Sequence, residues 1–313
     1  MIGGLAWLLL FAITLPGDTT TATIARLLLL AVLVVVPLAL PLAAPPAGAS
    51  RAALPHRAAL LCQPFAAALV VLALLAPAGI PAALLASGWL LLSGLAALTG
   101  LFRLLARRNV RADELCIDAG LLYLPIGAVW LLFNRIGFGP LGFGDTIVIL
   151  TAVHFHYAGF AAPILAGTAG RRIAAARPAL WPLFRLVAAG VIAGIALVAA
   201  GITLARFTPV IEVAAAVLFA ASLLALAALV LLVVVPTMRG RLAQTLLAIS
   251  AASLVVTMLL AGGYALGRFV AGPLIDIPRM VQFHGWLNAL GFVLCGLLAW
   301  TLTTDHRPPT TDR

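Results

Sequence analysis

Runs of about twenty apolar residues follow one another along this chain, separated by short loops, and they constrain its fold more than any other feature. A helix needs roughly 20 such residues to cross the hydrocarbon layer of a membrane. Of the 313 residues, 64% are hydrophobic and 9% are charged, whereas soluble domains carry about 25% charged residues. The runs are continuous and lack the alternation of barrel strands, so they indicate helices. The sequence therefore predicts an all-α fold, a polytopic transmembrane helix bundle.

The predicted bundle has about ten spans and forms a single integral membrane domain over residues 1–313. The predicted spans are 2–16, 24–43, 59–77, 81–102, 115–133, 144–167, 182–204, 209–236, 242–264 and 280–302. Span one is short and ends at a Pro-Gly-Asp sequence. A possible division separates variable N-terminal spans in residues 1–110 from residues 111–313, which contain the polar motifs.

All nineteen basic residues are arginine, and their distribution predicts the orientation of the bundle. Five arginines lie on one side of the predicted spans, and the other fourteen lie on the opposite side. Cytoplasmic loops carry the excess of positive charge in membrane proteins, so the arginine-rich side is predicted to be cytoplasmic, together with both termini. Topology explains the net charge of +10 better than nucleic-acid binding does. A composition dominated by Ala, Leu and Arg suggests a bacterial source and a place in the cell (inner, plasma) membrane.

Several function classes lack the residues that they need. The chain contains no lysine, which excludes lysine Schiff-base chemistry. It also has no P-loop, H-E-x-x-H, G-x-S-x-G or C-x-x-C-H sequence. Cys62, Cys116 and Cys295 are far apart and predict neither a disulfide framework nor a metal site. We predict no cofactor, no nucleotide and no nucleic-acid partner, and we expect no cleavable signal peptide.

Two histidines lie deep in span six, where ionisable residues are costly and often functional. His154 lies about ten residues into the span, roughly 15 Å from its start. On a regular helix His154 and Tyr157 share one face, whereas His156 points elsewhere and cannot readily share a metal with His154. The sequence favours His156 as a structural residue bonded to a neighbouring helix. Hydrogen bonds that only fasten helices remain the alternative for both histidines.

Span ten contains a second polar stripe. His284 and Asn288 are four residues apart and stack on one face, which Cys295 continues. Gly285 and Gly291 allow close approach of another helix. Because isolated polar faces in lipid need partners, spans six and ten are predicted to pack together, with His154, Tyr157, His284 and Asn288 facing one cavity that opens to the external side. A role for His284 in helix packing is the open alternative.

Span five and the start of span eight contain weaker candidates. Glu114 and Asp118 begin span five, where a solvated helix start beside the helix dipole is the favoured interpretation. Deeper in that span, Tyr123 belongs to a stripe of glycines and aromatics that predicts a packing face first and a cavity wall second. Glu212, at the external start of span eight, lies in water, pairs with Arg206, or points inward to share protons with His284.

Two motifs resemble a known family. The sequence His154-Phe155-His156-Tyr157-Ala158-Gly159-Phe160 resembles the signature of the YndJ-like bacterial membrane proteins, and residues 284–292, HGWLNALGF, resemble that family's second motif. The resemblance extends from about span five to the C-terminus. It implies a transporter-like membrane protein in which His154, His156, Tyr157, His284 and Asn288 are the residues of interest.

A transporter or permease without an ATP site is the leading functional hypothesis, and proton coupling would suit its histidines. The candidate cavity-lining residues are His154, His156, Tyr157, His284, Asn288, Glu212 and Tyr123. Expected partners are membrane lipids and an apolar or weakly polar substrate. The alternatives are an enzyme acting on a lipid or isoprenoid, with histidine and Glu212 as acid and base or histidines as metal or haem ligands, and a structural or sensory protein.

The arginine count makes a direct prediction of topology. Reporter fusions after Arg108 and Arg172 should be active as cytoplasmic reporters, whereas fusions near Gly139 and Gly272 should report an external location. The reverse pattern would show that the loop arginines do not orient this bundle.

Overall fold

A computed structural model describes residues 2–12, 19–46, 49–107, 109–269 and 275–303, and these residues form an all-helical bundle. The helices, several of which include π or 3₁₀ turns, are α1 (Ile2–Phe11), α2 (Thr19–Ala43), α3 (Ser50–Leu75), α4 (Ile80–Ala106), α5 (Ala112–Ile136), α6 (Asp145–Ala176), α7 (Pro178–Leu204), α8 (Pro209–Thr237), α9 (Arg241–Phe269) and α10 (Ile277–Thr303). They correspond in order to the ten predicted spans, which confirms the polytopic helical fold.

Nine of the described helices are long and apolar enough to cross a membrane, and α1 is the shorter one. Its ten residues give a length of about 15 Å, half of the roughly 30 Å hydrocarbon layer. It packs along α2, where the indole N–H of Trp7 donates a hydrogen bond to the Arg26 carbonyl at 3.0 Å. The predicted end of span one at 13–16, Arg108, Gly272 and the tail arginines Arg307 and Arg313 lie outside the described residues.

Helices α2 and α6 occupy the centre of the bundle. Their apolar stretches are 72% buried within the protein, whereas none of the other seven described spans exceeds 50%. Helices that follow one another in sequence pack side by side from α3 to α10, and α2 contacts α6 and α10. The central helices are therefore the ones through which distant parts of the sequence meet.

The helices also begin and end differently from the predicted spans. Helix α3 begins at Ser50, so Arg51 and Arg57 lie on a helix and not in a loop, and α4 continues through Arg103 to Ala106. The hydrophobic run marks only the part of each helix that lies in hydrocarbon. Each of these helices continues beyond its apolar run, and the arginines lie on that additional part of the helix.

Both histidine motifs coincide with π-helical turns. Segment Phe155–Ala161 of α6 is π-helical, and α10 contains two further π segments, Val281–Gly285 and Leu287–Leu294. Such turns are rare and frequently mark functional sites. They also change the angular relation between successive side chains, so faces assigned from a regular α-helix do not hold across residues 154–157.

Glycines allow close contacts of α5 with α6 and of α9 with α10. A Cβ atom on Gly120 of α5 would lie 2.8 Å from the Phe160 carbonyl oxygen of α6, and one on Gly291 of α10 would lie 2.3 Å from the Ser253 hydroxyl of α9. The glycine stripe of α5 is therefore a packing face, as predicted. The π segment of α6 contacts residues 287–294 of α10, which confirms the predicted packing of spans six and ten.

A single methyl group at the α5–α6 contact should destabilise the bundle. We expect Gly120→Ala to lower the free energy of unfolding by about 1–3 kcal/mol, because the added carbon cannot fit without backbone movement. Gly94→Ala in α4 is the matched control, since nothing lies within 4 Å of the added Cβ atom. Unfolding curves in detergent measure both variants, and equal stabilities would contradict the tight contact.

Candidate functional site

His284 lies in a closed ring of hydrogen bonds between α9 and α10. Its Nδ1 lies 3.0 Å from the Thr257 carbonyl oxygen, to which the N–H donates, and its Nε2 lies 3.0 Å from the Asn288 side-chain nitrogen. The Asn288 oxygen in turn accepts from the Thr257 hydroxyl at 3.1 Å. All three side chains are uncharged in this arrangement. Each forms its hydrogen bonds within the protein and not with water.

His154 directly precedes the π segment of α6 that contacts residues 287–294 of α10. Its Nδ1 donates to the Leu150 carbonyl of its own helix at 2.8 Å. The side chain is exposed, in contrast to the buried residues that follow it. It is therefore the histidine of α6 that is accessible on the side of the bundle where α6 meets α10.

The part of α10 around His284 is incompletely buried. The five successive residues from His284 to Asn288 are all half-buried, although successive helical residues point in all directions around the axis. On α9, Gly262 and Gly263 have nothing within 4 Å of an added Cβ atom. The helices are therefore loosely packed in the halves of α9 and α10 that are predicted to be external.

Tyr157 joins the same region to the central helix α2. Its hydroxyl donates to the Leu27 carbonyl at 2.9 Å, and a Cβ atom on Gly285 would lie 3.0 Å from the Leu27 side chain. Helices α2, α6 and α10 therefore meet at the level of Leu27. The tyrosine is buried while His154 is exposed, so the two residues have different environments despite their predicted common face.

His156 is packed into the opposite side of α6. It is fully buried, its Nε2 accepts from the Trp89 indole N–H of α4 at 2.8 Å, and its Nδ1 donates to the Ala152 carbonyl at 2.7 Å. A Cβ atom on Gly127 would lie 2.8 Å from that Nδ1. Both ring nitrogens are occupied by bonds that suit a neutral imidazole, and the ring has no room to turn.

The remaining predicted residues lie away from the His284 ring. The Tyr123 hydroxyl donates to the Ile192 carbonyl of α7 at 2.8 Å, and its ring packs against Phe155. Glu212 forms an ion pair with Arg268 at 3.3 Å. The suggested pairing of Glu212 with Arg206 is wrong, because the end of α9 brings Arg268 to that carboxylate.

A second polar cluster, the arginine–carboxylate cluster, was not predicted. Arg103 is fully buried near the predicted cytoplasmic end of α4. Its guanidinium donates to Asp118 at 2.8 Å, to Glu114 at 2.6 Å and to the carbonyls of Ala43 and Ala44 at the end of α2. Five donors on a rigid planar group suit such simultaneous bonding. One side chain thus connects α2, α4 and α5.

Other ion pairs extend the arginine–carboxylate cluster to α6. Arg171 contacts Glu114 at 2.7 Å, Arg107 pairs with Asp118, and Arg111 contacts Asp113 at 2.6 Å. Outside the spans, hydrogen bonding to Asp113 raises the pKa of Arg111, whereas burial lowers the pKa of Arg107. Asp118 is 1% exposed. The prediction of a solvated start to span five is therefore wrong, because α2, α4 and α6 cover these carboxylates.

Comparison with known proteins identifies the family of the chain. The family model described as YndJ-like protein matches residues 26–292. The chain belongs to the YndJ-like family. A similar protein, named uncharacterized membrane protein YndJ, comes from Bacillus subtilis strain 168 and is 31% identical over 251 residues. No solved structure matches the chain.

The family match includes more of the chain than the two motifs do. It begins in α2 and so includes α3 and α4, beyond the predicted resemblance from span five onward. The alignment with the Bacillus subtilis protein covers 80% of this chain and 43% of that protein. The chain therefore spans less than half the length of this YndJ-like relative.

Sequence reasoning missed the partners of the polar residues more often than the residues themselves. The partners of His284, His156 and Tyr157 are Thr257, Trp89 and the Leu27 carbonyl, and none of these lies in a recognisable sequence motif. The arginine–carboxylate cluster did carry a signal, since Arg103 and Arg107 at the end of α4 and Glu114 and Asp118 at the start of α5 are each four residues apart and flank one short loop. Among the described residues, no group of three or more His, Cys, Asp or Glu side chains could hold a metal ion.

Removal of Arg103 should be strongly destabilising. We expect Arg103→Met to lower the free energy of unfolding by about 3–5 kcal/mol, because Asp118 is left as a buried charge with fewer partners. Arg172→Met, one residue from Arg171 on α6, is the control and should change stability little. Adding Asp118→Leu to Arg103→Met should restore part of the loss in detergent unfolding curves. A single variant as stable as the control would contradict this role.

Proposed function

We propose that this multi-pass membrane protein is a proton-coupled transporter of a small, uncharged or weakly polar solute, located in the bacterial cell membrane. The observation that carries the proposal is an exposed His154 and a hydrogen-bonded His284 on π-helical or adjoining turns of two spans that pack together. We infer that the two imidazoles line one crevice. Histidine changes its charge near neutral pH, so a histidine pair in a crevice is suited to bind and release a proton.

The ring around His284 can accept a proton without leaving an unsatisfied group. In the neutral state, His284 Nε2 accepts from the Asn288 amide nitrogen, and the Asn288 amide oxygen accepts from the Thr257 hydroxyl. On protonation, Nε2 becomes a donor and Asn288 must turn its amide to present the oxygen. The Asn288 nitrogen then donates to the Thr257 hydroxyl, which can direct its own hydrogen to the Leu254 carbonyl, 3.1 Å away. Rotation of one amide thus accompanies binding of one proton.

The charge of the site favours an uncharged solute. The groups of the His284 ring are imidazole, amide and hydroxyl. Glu114, Asp118 and Glu212 pair with arginines, and the Asp276 carboxylate caps the start of α10 by accepting from the Arg279 backbone N–H. Protonation of one histidine disfavours protonation of its neighbour, because two like charges at short range repel each other. The pair therefore exchanges one proton, and solute binding in the crevice can change which histidine holds it.

Proton movement into liposomes tests the proposal. Proteoliposomes containing an internal pH dye are exposed to a panel of uncharged solutes, and we expect the wild type to show a pH change with at least one solute. His284→Leu and Asn288→Leu should reduce its rate at least about tenfold, since loss of a hydrogen bond at the proton site costs about 1–3 kcal/mol. Gln244→Leu, at the other end of α9, should retain the rate.

Stability measurements separate this role from a structural one. His154→Ala should remove the coupled proton movement while leaving the protein folded, because the side chain is exposed and bonds only to its own helix. His156→Ala should instead lower the free energy of unfolding by about 1–3 kcal/mol, because the Trp89 N–H loses its acceptor. Solute movement without protons, or unchanged coupling in both His284→Leu and Asn288→Leu, would contradict the proposed site.

A further inference from the structure

A second cavity lies at the opposite end of the bundle from the His284 crevice. It has a volume of about 290 Å³ and lies beside the first two turns of α3, with Pro45, Ser50, His56 and Arg57 among its lining residues. This volume is at the lower limit of the roughly 300–1,000 Å³ found for small-molecule sites. The cavity borders the arginine-rich side, which is predicted to be cytoplasmic.

His56 is the residue that singles out this cavity. Its side chain is 6% exposed, it lines the cavity, and its Nδ1 has no hydrogen-bond partner in the described part of the chain. A buried imidazole nitrogen without a partner costs free energy, which a ligand that accepts or donates a hydrogen bond would recover.

The surrounding groups favour an anion. Arg57 lines the cavity and is exposed. The first residue of α3, Ser50, also lines it, and the start of this helix has no capping side chain. The N–H groups of a first helical turn and the positive end of the helix dipole attract anions. No aspartate or glutamate occurs among the described lining residues.

We propose that this cavity binds a phosphate group, held by Arg57, His56 and the first turn of α3. An arginine with several fixed donors, together with N–H groups at a helix start, matches the several oxygens of a phosphate better than those of a single carboxylate. The phosphate belongs either to a membrane lipid headgroup or to a free phosphate in solution, because the cavity lies where the helices leave the hydrocarbon. This inference is independent of the proposed transport activity.

Binding measurements with purified full-length protein test the site. Native mass spectrometry compares phosphatidic acid with diacylglycerol of the same chains, and a thermal-shift titration uses inorganic phosphate against chloride at equal ionic strength. We expect a saturable phosphate-dependent signal in at least one assay. Binding of phosphatidic acid that inorganic phosphate does not displace identifies a lipid, whereas a saturable shift with inorganic phosphate identifies a free anion.

Three variants test whether the phosphate-dependent signal arises at this cavity. Arg57→Gln should weaken binding about tenfold, the effect of losing a hydrogen bond to a charged group, and it should fold because Arg57 is exposed. His56→Ala should weaken binding as well. Arg51→Gln is the matched control, since Arg51 is an exposed arginine of the same helix whose side chain does not line the cavity. Absence of any phosphate-dependent signal, or equal weakening by Arg51→Gln and Arg57→Gln, would overturn the proposal.

Discussion

Burial of the Arg103 guanidinium is the constraint on which the predicted cytoplasmic half of this bundle depends. A charge removed from water requires compensating charges and acceptors with good geometry, since the desolvation cost is several kcal/mol. Arg103 obtains them from the carboxylates of α5 and from two carbonyls where α2 ends. The position of α2 relative to α4 and α5 is therefore fixed by one side chain, and Arg171 adds α6 through Glu114.

Buried polar groups find their partners in different ways at the two ends of the bundle. The arginine–carboxylate cluster neutralises full charges, which interact strongly and allow little rearrangement. The ring of His284, Asn288 and Thr257 contains only neutral groups in its present state, and both its hydroxyl and its amide can reverse their hydrogen-bond roles. A rigid end and an adaptable end within one set of helices are compatible with a protein that changes shape on one side more readily than on the other.

The helices and the depth of the polar motifs could be predicted from the sequence. The hydrogen-bond partners of the polar residues could not. Apolar runs identified the helices because lipid imposes one requirement on all of them, and glycines at helical spacing correctly indicated the α5 packing face. The faces of α6 were harder to predict, because the π turn at Phe155–Ala161 alters the phase that a regular helix would give. Arg103 was misassigned to a loop because burial depends on neighbouring helices, which no local pattern of hydropathy records.

Many of the bonds that join these helices end on backbone carbonyls. Tyr157 bonds to the carbonyl of Leu27, Gln63 to that of Val32, and Ser250 to that of Phe292. Every residue type provides a carbonyl, so relatives can exchange the side chain at the accepting position without losing the bond. Paired substitutions in an alignment of the family would consequently be weak at these contacts, and contact inference from covariation would recover the side-chain pair of Trp89 and His156 more readily than the attachment of α6 to α2.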